Sequence, residues 1–180
     1  ITYINKYDAA SETWRRVLDH GLFDGEEETN AYPNHPVRGP DGQFHYLWVW
    51  RLNPIANTNH NLSYMKTPDF THFFNIDDES IPVPVMYRER RTIADPTGPW
   101  NGLMNSSKRL SFDSRGRVLL GYHKFDHRGH SQLFLARHNG VHWEQKQVSD
   151  WPDFTWDINR RGSLGRSIGL YAIKADSAGH

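Results

Sequence analysis

Residues 39–50 decide the fold, and they read Gly39-Pro40-Asp41-Gly42-Gln43-Phe44-His45-Tyr46-Leu47-Trp48-Val49-Trp50. A Pro-Asp-Gly turn comes first, and a run with a period of two follows it. One face of the strand that this alternation predicts carries Phe44, Tyr46, Trp48 and Trp50. The other face carries Gln43, His45, Leu47 and Val49. The stretch therefore predicts a β-strand that begins at a tight turn.

Three later stretches alternate in the same way and predict further strands: 117–125, 132–137 and 141–148. Short glycine-containing turns separate them at 114–116, 128–129 and 139–140. Residues 11–18 fit either a short helix or a strand. The sequence thus predicts an all-β chain with little helix.

An internal repeat relates residues 39–73 to residues 112–143. Each copy contains an Asp and a Gly in a turn, a strand, a hairpin, a second strand that ends in Lys or Arg, and a third that starts at His and an aromatic residue. This pattern is typical of a β-propeller blade of four antiparallel strands. A proline-rich insertion over 76–100 lengthens the spacing. A β-sandwich with two similar hairpins is the alternative.

The length of the chain limits how much of a propeller it supplies. A propeller needs about four to eight blades, and the chain has 180 residues. We therefore expect an incomplete β-propeller of about three blades, a piece of a larger ring, with strand-like runs at both ends of the sequence. The expected divisions are the end of one blade (1–29), a blade with a long insertion (30–98), a blade (99–150) and the start of the next (151–180). A short chain that associates with itself is the alternative.

Composition excludes several classes of protein. The chain has no cysteine, which excludes disulfides, a cysteine nucleophile and cysteine-ligated metal sites. Its 21 Lys and Arg balance 21 Asp and Glu, which argues against a general nucleic-acid binder. No apolar run approaches the roughly 18 residues of a membrane span. Aromatic residues make up 13% of a polar sequence, as expected for an all-β domain with a ring-lined, solvated site.

Four residues stand out as candidates for chemistry within short motifs. They are His35 in Asn34-His35-Pro36-Val37, His60 in Asn59-His60-Asn61-Leu62-Ser63-Tyr64, Tyr122 in Tyr122-His123-Lys124-Phe125-Asp126, and Arg137 after Ala136. Together with Leu110-Ser111-Phe112-Asp113 and Gly116-Arg117, these blocks resemble the BNR-repeat family that contains polysaccharide lyases. Ulvan lyases and rhamnose–glucuronate lyases belong to that group. The resemblance extends over roughly residues 30–165.

The resemblance implies a β-propeller, commonly seven-bladed, that cleaves polysaccharides at uronic acids by β-elimination. An arginine neutralises the uronate carboxylate while a base removes the proton on the adjacent carbon. On this resemblance Arg137 is the neutraliser, and Tyr122 is the base or both base and acid. His35 and His60 are then the acid or position the substrate. The stretch between His35 and His60 is lengthened by residues 51–59.

Simpler interpretations exist for each of these residues. Tyr122 shares a strand face with Val118 and Leu120, as a core residue would, and Arg137 ends a strand where a solvated cation is common. His123, Lys124 and Asp126 either contact an acidic sugar or pair with one another. Further substrate-binding candidates are Asn105, Arg160 and Arg161. Trp48, Trp50 and Trp100 are candidates for stacking on sugar rings, although most rings in an all-β chain are core.

No metal ligands are assigned from the sequence and no cofactor is required. The spacings of His127 and His130, and of His138 and His142, are ligand-like, and the resemblance is compatible with a structural zinc or calcium ion. It also implies an anionic polysaccharide as partner, with no nucleic acid and no membrane. A secreted or periplasmic location follows from the resemblance alone, since no signal peptide is present in the sequence.

Two other functions stay open at this point. The first is a glycoside hydrolase on the same scaffold, sialidase-like or rhamnosidase-like. A sialidase needs three arginines that converge in its funnel, whereas Arg88, Arg90 and Arg91 lie together in one segment. The second is a non-catalytic propeller that binds carbohydrate.

Overall fold

The middle of the chain forms two antiparallel sheets, and four short strands form two further small sheets. The computed structural model describes residues 1–175. Its strands, in chain order, are β1 (Asn5–Asp8), β2 (Thr13–Arg16), β3 (Phe23–Asp24), β4 (Asn30–Pro33), β5 (Val37–Arg38), β6 (Phe44–Arg51), β7 (Asn59–Thr67), β8 (Phe73–Phe74), β9 (Ser80–Ile81), β10 (Val85–Met86), β11 (Ile93–Asp95), β12 (Lys108–Phe112), β13 (Val118–Phe125), β14 (Ser131–His138) and β15 (Trp143–Gln147). Single turns of 3-10 helix lie at Ala56–Thr58 and Arg90–Thr92.

The first sheet has the order β4-β6-β7-β8-β9, with β5 also paired to β6 and β11 to β7. The second sheet has the order β12-β13-β14-β15. Strands β1 and β2 form a separate hairpin, and β3 pairs in parallel with β10. The all-β expectation is confirmed, and residues 11–18 contribute a strand. Neither large sheet closes on itself, so the number of blades stays a prediction.

The alternation in β6 gives each of its faces a separate core. Trp48 and Trp50 pack with residues of the segment that precedes the first sheet, including Leu22. Leu47 and Val49 pack against the second sheet. A strand buried on both faces is what a stack of sheets requires, and the predicted division of side chains between the faces is confirmed.

The second sheet is likewise covered on its other face. Trp156, Ile158 and Ile168 are buried there in a third apolar cluster with Ala56 and Met104. The order of layers is therefore the N-terminal segment, the first sheet, the second sheet and the segment after β15. The expected blade boundaries stay predictions, and residues 176–180 of the last expected unit lie outside the described residues.

Both sheets present their long loops at the same end, which we call the upper end. It holds loop 52–58 between β6 and β7 and turn 126–130 between β13 and β14. The side-chain oxygen of Asn57 accepts a hydrogen bond from the Gly102 amide at 2.9 Å. Its amide nitrogen donates to the Asn159 side chain at 2.8 Å. One residue therefore joins three segments at the upper end.

The opposite, lower end holds turns 39–43 and 113–117, where the ring centroids of His45 and Phe112 lie 4.8 Å apart.

Gly102 shows how tightly the upper end is packed. It has φ of +79°, and a Cβ there would lie 2.4 Å from the Phe125 ring. No helix among residues 1–175 is long and apolar enough to cross a bilayer.

Candidate functional site

Two adjoining hollows form a cleft at the upper end. One has a volume of about 300 Å³ and the other about 490 Å³, in the range of ligand sites. The smaller is lined by Arg51, Ala56, Met104, Asn105, Ser106, Trp156, Gly162, Ser163, Leu164 and Arg166. The larger is lined by Asn30, Tyr32, Arg51, Leu52, Asn53, Pro54 and Gly162. Because they share Arg51 and Gly162, we treat them as one site and call it the upper cleft.

Arg51 ends β6 and occupies the junction of the two hollows. Its side chain is 8% exposed and donates to the carbonyl oxygens of Asn53 at 3.0 Å and Ile55 at 3.3 Å, and to that of Pro54. Its guanidinium also lies over the Tyr32 ring, 5.4 Å from the centroid. No carboxylate among residues 1–175 forms a salt bridge with Arg51. The cleft thus holds a fixed cation without a countercharge.

Further cations belong to the segment after β15. Arg166 is exposed in the wall of the smaller hollow. The predicted residues Arg160 and Arg161 lie beside loop 52–58. The backbone amide of Ala56 donates a hydrogen bond to the Arg160 carbonyl at 3.1 Å, and Arg161 forms an isolated antiparallel β-bridge with Ile55. The Arg160 side chain is held by Asp157 at 2.8 Å. Arg166 is therefore a second cation in the lining of the upper cleft, and Arg160 and Arg161 lie nearby.

A buried polar cluster stands behind the wall of the cleft, between the two sheets. Lys108, the first residue of β12, is 1% exposed. Its Nζ donates to Asn34 Oδ1 at 2.6 Å and to the Asn105 carbonyl at 2.8 Å. Burial lowers the pKa of Lys108 to about 7. The predicted residue Asn105 also accepts from Asn59 Nδ2 at 3.4 Å, so it does lie in the cleft wall.

The sequence did not single out Arg51 or Lys108, although each carries a weak signal. Arg51 ends the largely apolar strand β6, which is buried on both faces, and Lys108 begins β12, which also contains Arg109 and Ser111. A charge at a strand end is usually solvated, and the pattern does not distinguish that case from a buried one. Their burial and their contacts are what identify them.

The two predicted histidines lie on the first sheet. His60 is the second residue of β7 and is 7% exposed; its Nε2 lies 3.3 Å from Thr29 Oγ1. Burial lowers the pKa of this imidazole, which favours its neutral form. His35 is exposed in the connection between β4 and β5, directly after Asn34 of the polar cluster. One histidine is thus accessible and the other is nearly enclosed.

Tyr122 is placed in the core between the sheets. It is fully buried, its hydroxyl donates to the Asp95 carboxylate, and its ring stacks on Phe134 with centroids 5.9 Å apart. Burial is the first cause that raises its pKa, and the Asp95 charge adds to it. A phenol in this position has no access to a polymer at the surface.

Arg137 is placed near the lower end of β14. Its Cα partners are Leu119 and Glu144, whereas Phe125 pairs with Ser131 at the upper end. Arg137 lies six positions after Ser131, which is roughly 20 Å along an extended strand. The structure therefore does not bring Arg137 together with His60, and the four residues of the predicted catalytic set do not share one site.

His123 and Lys124 are held by partners within the fold. His123 is buried, donates from Nδ1 to the Gly102 carbonyl at 2.7 Å, and has its pKa lowered to about 4 by burial. The Nζ of Lys124 lies 2.6 Å from the Asp95 carboxylate. Both side chains are thus held within the fold, although their partners are Gly102 and Asp95 and not one another, as the second of the two sequence interpretations had it.

The aromatic candidates for sugar stacking divide in the same way. Trp48 and Trp50 are 0% and 1% exposed, so their rings do not contact a ligand. Trp100 is 53% exposed and is the last residue of the insertion over 76–100. Of the three, only Trp100 has a free surface.

The family assignment rests on a match over most of the chain. A family model described as BNR repeat-containing family member matches residues 1–151. The chain belongs to the BNR repeat-containing family. The resemblance read from the sequence motifs is thereby confirmed.

Two solved structures resemble the BNR-repeat chain. One is described as a new family of polysaccharide lyase, the PL25 ulvan lyase, with a TM-score of 0.63 and 16% identity. The other is the same kind of lyase bound to -[GlcA(1-4)Rha3S]-, with a TM-score of 0.64 and 16% identity. In each case the match covers 85% of the BNR-repeat chain and 39% of the other chain. At this identity the likeness shows the fold, and the chain spans about two-fifths of the length of these structures. No curated protein matches the BNR-repeat chain.

Charge distinguishes the upper cleft from the hollow at the N-terminal side of the BNR-repeat chain. That hollow has a volume of about 360 Å³ and includes Asp24 and Glu27 in its lining, with His20 as its only basic side chain. An anion is better placed beside Arg51 and Arg166. Among residues 1–175 no group of three or more His, Asp or Glu side chains is arranged to hold a metal ion.

Proposed function

We propose that this BNR-repeat chain is part of a polysaccharide lyase that cleaves uronic-acid-containing, anionic polysaccharide by β-elimination. The observation that carries the proposal is the fixed guanidinium of Arg51, which has no carboxylate partner among residues 1–175 and lies in a cleft whose lining also contains Arg166. Membership of the family and a fold shared with a polysaccharide lyase support it. A solved neighbour holds a glucuronate-containing sugar, which supports the class of substrate.

The reaction requires a cation beside the uronate carboxylate. Removal of the proton on the adjacent carbon builds negative charge that spreads into the carboxylate, and a positioned guanidinium stabilises that charge. The electron pair of the broken C–H bond forms a C=C bond. The glycosidic C–O bond breaks, and its oxygen leaves with its electron pair and takes up a proton.

In the proposed arrangement Arg51, and not Arg137, neutralises the carboxylate. Arg51 is at the cleft, whereas Arg137 lies near the lower end of β14. Removal of the proton is assigned to His60, because its neighbour Asn59 pairs with Arg51 and burial favours the neutral form that a base needs. His35 does not line the cleft and lies level with about Tyr46 of β6, five residues or roughly 17 Å from Arg51, so no proton transfer is assigned to it. Tyr122 is not assigned a role, because it is buried and bonded to Asp95.

The proposal is tested with the full-length protein and a glucuronate-containing polymer such as ulvan. A lyase produces a C=C bond conjugated to the carboxylate, so ultraviolet absorbance rises together with new reducing ends. New reducing ends without that absorbance would instead establish a glycoside hydrolase. Binding without any new chain ends would establish a non-catalytic carbohydrate-binding protein.

A further inference from the structure

Lys108 stands out because a buried ammonium is costly and nothing acidic compensates it. Its Nζ contacts two oxygen atoms, Asn34 Oδ1 and the Asn105 carbonyl, and both belong to uncharged groups. No carboxylate among residues 1–175 forms a salt bridge with it. Apolar residues of similar volume often replace buried charged groups without loss of stability, so the presence of a lysine between the two sheets needs an explanation.

The charged and titratable groups on the neighbouring elements do not explain why a lysine is buried at this position. Arg109, next to it on β12, has the same sign and disfavours the charged lysine. Tyr122 is its partner on β13 and keeps its proton because its pKa is raised. On the connection after β4, His35 is exposed beside Asn34. The loop before β12 contributes Asn105 and no acid.

The contacts of Lys108 join three parts of the molecule. Asn34 follows β4 of the first sheet, and its Nδ2 donates to the Lys108 carbonyl at 3.1 Å. Asn105 belongs to the loop that precedes β12 and lines the upper cleft. The side chains of Asn59 and Asn105 are 3.4 Å apart, which ties the same loop to β7. One amine thus links the first strands of both sheets to the wall of the cleft.

We propose that Lys108 is a positioning residue, which fixes Asn105 in the wall of the upper cleft and sets the spacing of the two sheets there. The proposal rests on the proposed function only in assigning an acidic sugar to that cleft. Lys108 itself does not touch the ligand, because it is enclosed. It acts through the Asn105 carbonyl, which would otherwise lack this buried donor.

The environment of the amine supports this role. Burial leaves Lys108 with a pKa of about 7, so the amine is readily deprotonated near neutrality. An anion in the cleft would favour the protonated amine behind the wall, because an opposite charge nearby stabilises a cation. Binding of a uronate is therefore expected to raise the pKa of Lys108.

The test compares Lys108→Met with Lys146→Met in the full-length protein. Lys146 is exposed on β15, away from the cleft, and serves as the matched control. We expect Lys108→Met to weaken binding of a glucuronate oligosaccharide roughly tenfold, the change that one lost polar contact produces. In turnover assays KM should rise more than kcat falls. Unchanged binding and KM in a folded Lys108→Met protein would overturn the proposal.

A measurement on the unaltered protein covers the case in which Lys108→Met does not fold. Nuclear magnetic resonance of ¹⁵N-lysine-labelled protein follows the titration of Lys108 with and without glucuronate. We expect a pKa far below that of the other lysines, which rises when glucuronate binds. An ordinary lysine pKa, or one that glucuronate leaves unchanged although it binds, would contradict the proposal. If the protein binds uronates but does not cleave them, the lyase proposal fails while this one stands.

Discussion

The Nζ atom of Lys124 lies 2.6 Å from the carboxylate of Asp95, and the hydroxyl of Tyr122 donates to the same carboxylate. Thr97 Oγ1 is a third donor, at 2.7 Å. Asp95 belongs to the segment inserted between the main strands of the two sheets, and its side chain is 5% exposed. Tyr122 and Lys124, which the sequence suggests as catalytic and substrate-binding residues, thus both contact a buried carboxylate.

Asp95→Ala tests how much the contacts of this carboxylate contribute to the free energy of unfolding. Removing one partner of a buried ion pair leaves an uncompensated cation, which costs about 3–5 kcal/mol. We expect a loss of unfolding free energy of this order in urea denaturation. Asp157→Ala, which removes the exposed partner of Arg160, is the control and should leave stability unchanged. Equal stability of the two variants would show that Asp95 does not anchor the insertion.

Tyr122→Phe separates a structural role from a catalytic one. The variant removes one donor to Asp95 and leaves Lys124 and Thr97 in place. We expect a loss of about 1–2 kcal/mol of unfolding free energy and an unchanged kcat for the folded protein. A stable, folded variant without turnover would make Tyr122 the base after all.

Arg51→Met and Arg137→Met form a pair that tests which arginine neutralises the carboxylate. We expect Arg51→Met to lower kcat/KM by about a hundredfold or more, as loss of a group that stabilises developing charge does. Arg137→Met should retain activity within about twofold, because its effect is confined to strand pairing near the lower end. The reverse result would return the role to Arg137 and place the site elsewhere.

Lys108 makes a specific contribution to the pH dependence of stability. Its pKa is about 7 in the folded protein and about 10.4 when unfolded. Between these values the unfolded chain binds more protons, so this residue makes stability rise with pH, by at most about 1.4 kcal/mol per unit. Below about pH 7 the buried amine is protonated, and the full cost of burying its charge lowers the free energy of unfolding.

Urea denaturation of the wild-type protein and of Lys108→Met at several pH values between 7 and 10 checks this sign. As pH rises, the free energy of unfolding of the wild type should increase relative to that of the variant. A difference that stays constant over the range would mean that Lys108 titrates normally in the folded state.

The sequence predicted the strands better than the site, and the reason is physical. Alternation determines which side chains share a face, and the two faces of β6 are confirmed. It does not tell whether a face meets another sheet or solvent. Trp48 and Trp50 were therefore candidates for a ligand, although both are buried in a core.

The candidate site also depends on contacts between residues that are distant along the chain. The partner of Tyr122 lies 27 positions earlier, and that of Lys108 lies 74 positions earlier. A motif within one segment does not reveal such partners. Family resemblance suggested the chemistry that we propose, but the register of β13 and β14 decides that Arg137 lies away from the upper end.

The two amide contacts of Asn57 bear on how the protein is made. Its partners Gly102 and Asn159 are 45 and 102 positions away, whereas neighbouring strands of each sheet are joined by short loops. Contacts of long sequence separation form late, because closing a long loop costs entropy before it brings any gain. During synthesis the sheets can therefore assemble before residue 159 is available. The contacts that shape the upper cleft therefore form only after residue 159 has been made, later than the pairing within each sheet.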